Sequence, residues 1–278
     1  MRHAAPLAGV VLASLVPGIS AADSCKHAAN RTASVDGPGI TKVVLETRAG
    51  DLDVRGEADE QGVRARGHAC ASSPELLDGV QFEVRREGDT VYLKTLMPDN
   101  FESLFGFNRY AYMDVKISVP KSVAVSLQDS SGDLRLADVQ SARIDDSSGD
   151  QSVHDIAGDL EITDSSGEME IGHVGGAVKI RDNSGDIDVT DVRGDVIVSE
   201  DSSGDIEIEK VAGKVHIVSD SSGDIEIADV QRDVTIDEDS SGGISVSRVG
   251  GNFTLGSDGS GGVSYDSVLG SVRVPDED

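Results

Sequence analysis

The tetrapeptide DSSG, or a close variant of it, returns through the second half of the chain at a nearly constant interval, and that interval limits the fold more than any other feature. With the turn glycine as marker, the positions are Gly132, Gly149, Gly167, Gly185, Gly204, Gly223, Gly242 and Gly261, separated by 17, 18 and 18 residues and then by 19 four times. A unit of this length cannot enclose a core alone and must share one with its neighbours. Two and four residues after the marker the side chains are apolar in every unit except at Gln151, as in Ile206 and Ile208, with polar residues between them. Such period-two alternation predicts a strand with one buried face. Seven after the marker a β-branched residue stands in every unit: Val139, Ile156, Val174, Val192, Val211, Val230, Val249 and Val268. A second alternating pair follows, such as Val215 and Ile217. Five inward positions in each of eight units make 40, and Gln151 alone among them is polar.

Stacked strand upon counterpart, these units build an all-β chain: a right-handed parallel β-solenoid (β-helix) of about eight 17–19-residue rungs, the hand following from the crossover preference of parallel strands. At about 4.8 Å per rung the repeats make a rod on the order of 40 Å long. Composition agrees, because a chain with no Trp and 3% aromatic residues must build its core from aliphatic side chains.

The domain organisation follows from what surrounds the repeats at 129–275. Residues 1–22 combine a basic start, an apolar run from Ala4 to Val16 and small residues near Ala21 and Ala22, the pattern of a signal peptide. The run is too short to span a bilayer. The expectation is an exported protein, periplasmic, cell-surface or extracellular, with no transmembrane segment in the mature chain. Residues 23–38 read as a flexible N-terminal segment carrying Cys25. The only other cysteine is Cys70, and in an oxidising compartment such a pair predicts a disulfide. Residues 39–128 read as an irregular N-terminal β region and cap. There AGDLDVRG (49–56) echoes the repeat, VQFEVRREGDTVYLKTL (80–96) reads as a hairpin, and YMDVKISVP (112–120) as a further strand. Five of the nine aromatic residues, Phe101, Phe105, Phe107, Tyr110 and Tyr112, fall in the segment 101–112. Two readings are open: an apolar plug over the first rung, or a partner-binding loop.

The chain carries a formal net charge of −27. From Asp129 onward, 35 Asp plus Glu face 10 Lys plus Arg, a balance of −25. Such a surface repels nucleic acid and anionic lipid. Three residues before each marker stands an Asp, from Asp129 to Asp258, and one residue after it stands another acid in six of the eight units. Stacking sets like charges about 5 Å apart, a repulsion of roughly 0.9 kcal/mol per adjacent pair in water. In one reading the first Asp accepts turn amides while the serines ladder from rung to rung, and the second acid forms a solvated outer face. In the other, the two columns, exemplified by Asp201, Asp205, Asp220 and Asp224, offer hard oxygen ligands to Ca²⁺. No other cofactor is implied.

The DSSGD turns, the GDIEI strands and the stretch SVPKSVAVSLQDSSGDL at 118–134 resemble the bacterial putative-adhesin family of β-strand repeat proteins, domain-of-unknown-function family 4097. The resemblance covers about 45–275 and implies a secreted or surface-associated solenoid with no catalytic residues to carry over. The expected function is therefore an exported acidic β-solenoid acting as a non-catalytic binding or structural scaffold, adhesin-like, with a protein or glycan of the envelope or surface as partner. Two alternatives are a polysaccharide-acting β-helix enzyme and a periplasmic signalling or stress accessory that docks a membrane regulator. Against catalysis stands repetition itself, since a reactive centre is a local departure from it. His154, His173 and His216 also occupy different places in their units.

Overall fold

The computed structural model describes residues 25–98 and 109–275. The expected signal peptide and Phe101, Phe105 and Phe107 lie outside these residues. The described chain forms two 12-stranded sheets that face each other across one aliphatic core. Each coil gives one strand to each sheet, and every coil strand pairs in parallel with its counterpart in the next coil.

The register is the one that the periodicity demands. Ile187 pairs with Ile206, Ile206 with Ile225, and Ile225 with Ile244. The β-branched corner residues form a single pile, Ile156 on Val174 and so on through Val192, Val211, Val230 and Val249 to Val268. Val139 continues it at the lower end, buried and accepting the Ala157 amide at 3.0 Å. Just before each corner, one residue adopts a left-handed conformation, with φ between 53° and 63° at Asp138, Asp155, His173, Asp191, Lys210, Asp229, Arg248 and Ser267. It drops out of the pairing (His154 pairs with Gly172 and Ile156 with Val174) and so turns the chain toward the second sheet.

The N-terminal region extends the same two sheets. Strands β1 (His27–Val35), β2 (Lys42–Glu46), β3 (Leu52–Glu57), β4 (Val63–Ala71), β5 (Gln81–Glu87), β6 (Thr90–Leu96) and β7 (Ala111–Pro120) are joined by one short helix, α1 (Pro74–Gly79). β2 and β3 make one further coil below the repeats, with Leu52 beside Leu134 and Val54 beside Leu136. β6 and β7 stack beneath it in parallel, and then the direction changes: β5 runs antiparallel to β6, β4 antiparallel to β7, and β1 antiparallel to β4. The lowest coil is thereby sealed, with Val43, Leu45, Leu52 and Val54 at most 1% exposed.

The segment 23–38 departs from expectation. Most of it is the nine-residue strand β1, paired along its whole length with β4. Arg31 also ties it to the helix by donating from Nε to the Val80 carbonyl at 2.9 Å and from Nη2 to the Leu77 carbonyl at 3.0 Å. A disulfide joins Cys25 to Cys70 with a Cα–Cα distance of 5.7 Å, closing a loop of sequence separation 45. Loop-closure arithmetic puts its stabilisation at up to about 4 kcal/mol. Reduction is expected to release the edge first. Deuterium exchange should accelerate about tenfold or more at amides 28–35 while the amides of the central coils keep their rates; an unchanged β1 would show that its hydrogen bonds alone hold it.

Candidate functional site

The repeated turn is where the sequence concentrates its polar residues, and its acids fall into columns with different surroundings. The column three residues before the marker is inside the protein. Asp129, Asp146, Asp164, Asp182, Asp201, Asp220 and Asp239 are all at most 4% exposed. Only the acid after the marker keeps the outer position expected of it. At Asp129, Asp146 and Asp239 one carboxylate oxygen accepts an amide of its own turn, at 2.8, 2.7 and 3.2 Å, and the other is enclosed without a partner. At Asp164, Asp182, Asp201 and Asp220 neither oxygen has a hydrogen bond of ordinary geometry.

A buried carboxylate lacking donors is costly when charged, so burial favours the protonated form. Burial raises the pKa of these seven aspartates, reaching about 7 at Asp146 and Asp220 and about 6 at Asp182. Neighbouring carboxylates add to the effect, Asp129 and Asp164 at Asp146, and Asp201 and Asp239 at Asp220. The turn amides pull the other way. A protonated acid is also a donor, and the carboxyl above it is an acceptor, so a shared proton relieves both repulsion and unsatisfied oxygens. Gln151, the one polar residue at an aliphatic position, is buried and acts on Asp164 in this column, favouring its charged form.

The serines hold the turns in register. The second Ser of one turn donates its hydroxyl to the carbonyl of the first Ser in the turn below, as in Ser148 to Ser130 (3.2 Å), Ser184 to Ser165 (3.1 Å) and Ser222 to Ser202 (3.1 Å). The acid after the marker is exposed yet structural. Its Oδ1 accepts the amide of the matching residue one coil up: Asp186 from Asp205 at 2.9 Å, Asp205 from Asp224 at 2.8 Å, and Asp224 from Gly243 at 2.7 Å. A third acid series, at the turn between the two strands of a coil, does the same. Asp159 accepts the Ala177 amide, Asp195 the Lys214 amide and Asp233 the Asn252 amide, each at 2.9 Å. Much of the acidity is thus turn chemistry written three ways.

For the proposed calcium ligands, the consequence is separation. Asp201 and Asp220 point inward and are fully buried, whereas Asp205 and Asp224 are exposed. Among the described residues no three His, Cys, Asp or Glu side chains converge as a metal site. Of the aromatic segment, Tyr112 belongs to strand β7, and the Tyr110 hydroxyl accepts the Lys26 amide at 3.0 Å. The two rings lie 6.3 Å apart next to the disulfide, since Tyr112 pairs with Cys70. Sequence reading missed one contact: His154 Nε2 lies 3.0 Å from Ser152 Oγ, two residues away on the outward face of one strand. Glu170 approaches that same Nε2 at 3.9 Å, so among the described residues no carboxylate orients the far side of the ring as nucleophile activation requires.

Two outer surfaces remain. One is a shallow cleft of about 570 Å³ on the first sheet, lined by acids including Asp150, Glu168, Asp186, Asp188 and Glu207. Partial burial and then adjacent carboxylates raise the pKa of Asp188 and Glu207. The other is a long groove of about 1360 Å³ beside the left-handed corners, whose charges are largely paired with each other. His173 sits between Asp155 (3.9 Å) and Asp191 (3.5 Å), and Arg248 donates to both oxygens of Asp229 at 2.7 and 2.8 Å.

Among protein families, the one described as Toastrack DUF4097 matches residues 40–267. Solved structures with similar chains include a putative cell adhesion protein from Clostridium sporogenes (13% identity, 89% of this chain and 98% of that one, TM-score 0.30). Others are putative adhesins from Bacteroides fragilis (14%, 89% and 97%, TM-score 0.40) and Parabacteroides distasonis (14%, 89% and 96%, TM-score 0.40). At these identities and TM-scores the likeness carries nothing about ligand or chemistry. No curated protein matches the chain.

Proposed function

The chain belongs to the Toastrack DUF4097 family, and from that premise we propose that it is an exported, non-catalytic, adhesin-like scaffold whose rigid acidic face binds a component of the envelope or surface. The observation that carries this reading is the outward face of the first sheet. There acids recur in successive coils, Glu170, Asp188, Glu207 and Glu226 in one column beside Asp150, Glu168, Asp186 and Asp205 around the cleft. A surface of this kind offers many weak equivalent contacts to an extended cationic partner rather than one reactive centre. The Cys25–Cys70 disulfide supports the exported part of the reading, because such bonds persist in oxidising compartments. No helix among the described residues is long and apolar enough to cross a membrane.

The test is retention of the purified chain on immobilised chitosan and polylysine, with alginate as the anionic control. The reading expects retention on both cationic polymers, fading as salt rises, and none on alginate. The soluble forms of chitosan and alginate are then incubated with the chain and sized. Release of shorter fragments from either would favour the rival enzyme reading, and equal retention on all three supports would remove the acidic face as the binding element.

A further inference from the structure

The two ends of the rod differ. At the N-terminal end the antiparallel strands β1, β4 and β5 seal the core; of the two outermost strands, β5 carries Glu83, Arg85, Arg86 and Glu87, the kind of charge that blunts an edge, and β1 is tied to α1 through Arg31. At the other end the core is cut open. In the inner coils the side chains two, four and seven residues after the marker are at most 2% exposed. Their counterparts in the last coil are Val263 and Val268, only half-buried, and Tyr265, 49% exposed. Val272 and Val274 are likewise half-buried, and Leu269 is 84% exposed. Val263–Val268 is the final strand of its sheet and is paired only with Ile244–Val249, so one edge of its backbone carries no strand among the described residues.

The charge changes at the same place. Residues 129–239 hold 30 Asp plus Glu against 8 Lys plus Arg, a balance of −22. Residues 240–278 hold five acids, Asp258, Asp266, Asp276, Glu277 and Asp278, against two bases, Arg248 and Arg273, a balance of −3. The acid that follows the marker in the six preceding coils is replaced by Gly243 and Gly262. A strongly acidic rod therefore ends in a weakly charged, apolar face, one edge of whose last strand carries no partner strand among the described residues.

We propose that this C-terminal end is a self-association surface, on which a second copy of the chain docks tail to tail. A basic partner gains less from this weakly charged face than from the acidic body of the rod. A second copy, repelled along its sides by like charge, meets less repulsion there and brings an identical apolar section. A twofold axis across the rod sets strand Val263–Val268 antiparallel to its own copy, and antiparallel edges can join directly. Because the N-terminal end is sealed and charged, the contact closes as a dimer instead of growing into a fibre.

Sedimentation of the full chain over about 1 to 100 µM tests this, with the dimer population expected to rise across the series. Raising salt should strengthen association, since it screens the acidic bodies without weakening an apolar contact. Leu269→Lys and Tyr265→Lys alter exposed side chains and should each raise the dimer dissociation constant about tenfold or more. Val218→Lys, at an exposed valine elsewhere on the rod, should leave the mass unchanged. In exchange measurements, amides 263–268 should gain protection with concentration. A monomer throughout, with those amides protected at every concentration, would mean that residues beyond Pro275 cover the end. A dimer untouched by either end substitution would place the contact on another surface. Either result overturns the proposal.

Discussion

Acidification from about pH 8 to about pH 5 is expected to stabilise the fold and to raise its midpoint by on the order of 10 °C, the reverse of ordinary acid denaturation. The inner aspartates are responsible. Folding lifts the pKa of Asp146 and Asp220 from 3.8 to about 7 and that of Asp182 to about 6, with burial the first cause. Between the unfolded and folded values the native chain holds protons that the unfolded chain has released, so stability falls as pH rises through that window. Below about pH 4 both states are protonated and the contribution is complete; above about pH 8 both are ionised and nothing more is lost. Each net proton is worth about 1.4 kcal/mol per pH unit, so three coupled acids suffice for an effect of a few kcal/mol.

The outer acids set the lower bound of this behaviour. A side-chain hydrogen bond from Arg248 lowers the pKa of Asp229, one from Lys121 that of Asp138, and the Asn252 amide that of Asp233. Their contribution disappears as pH falls below about 4, so maximal stability lies in mild acid. Asp220→Asn keeps an acceptor for the turn amides but can never carry the buried charge. Its expected signature is a higher midpoint at pH 8 and a shallower rise on acidification. Thermal melts across pH 4 to 9 read both effects, and a midpoint that is flat or increasing from pH 5 to pH 8 would mean that the column is not protonated in the fold.

The rod was legible because its information is periodic. Alternation named the buried faces, and the corner valines named the register that the pairing displays. The position of the inner acids was not, because an Asp before Ser-Ser-Gly reads equally well as an exposed turn residue. A signal was present in what each column tolerates. The buried position is Asp in all eight units, whereas the exposed one accepts Glu168, Gly243 and Gly262. Invariance of length as well as charge marks a side chain confined on every side. The left-handed corners were hidden for the opposite reason, since Asp, His, Lys, Arg and Ser all occur there and no residue type betrays the geometry. β1 was hidden by its composition, HAANRTASV, which has few strand-forming side chains and owes its order to β4, α1 and the disulfide.

Replacing one marker glycine in the middle of the rod should do more damage than removing any single core methyl group. At Gly223 the backbone has φ +136°, and an added Cβ would lie 1.8 Å from the Gly204 carbonyl oxygen in the coil below. That carbonyl cannot retreat, because the Gly204 amide donates to Ser222 at 3.1 Å and the Gly223 amide to Ser241 at 3.2 Å within the same ladder of turns. Gly223→Ala therefore combines backbone strain with a backbone clash, and its expected cost is about 3–5 kcal/mol. Two other glycines separate these terms. Gly88→Ala meets positive φ with nothing within 4 Å and should cost about 1 kcal/mol, whereas Gly262→Ala meets neither and should be nearly neutral. In a stack whose coils touch only their neighbours, the damage should also be local and directional. Coils below the lesion keep the sealed N-terminal end, but those above it have the open end on one side and the broken contact on the other. Amides 225–268 should thus lose exchange protection in Gly223→Ala while amides 134–174 retain it. Uniform loss along the rod would mean that the coils unfold as a single cooperative unit and that the sealed end confers no separate stability.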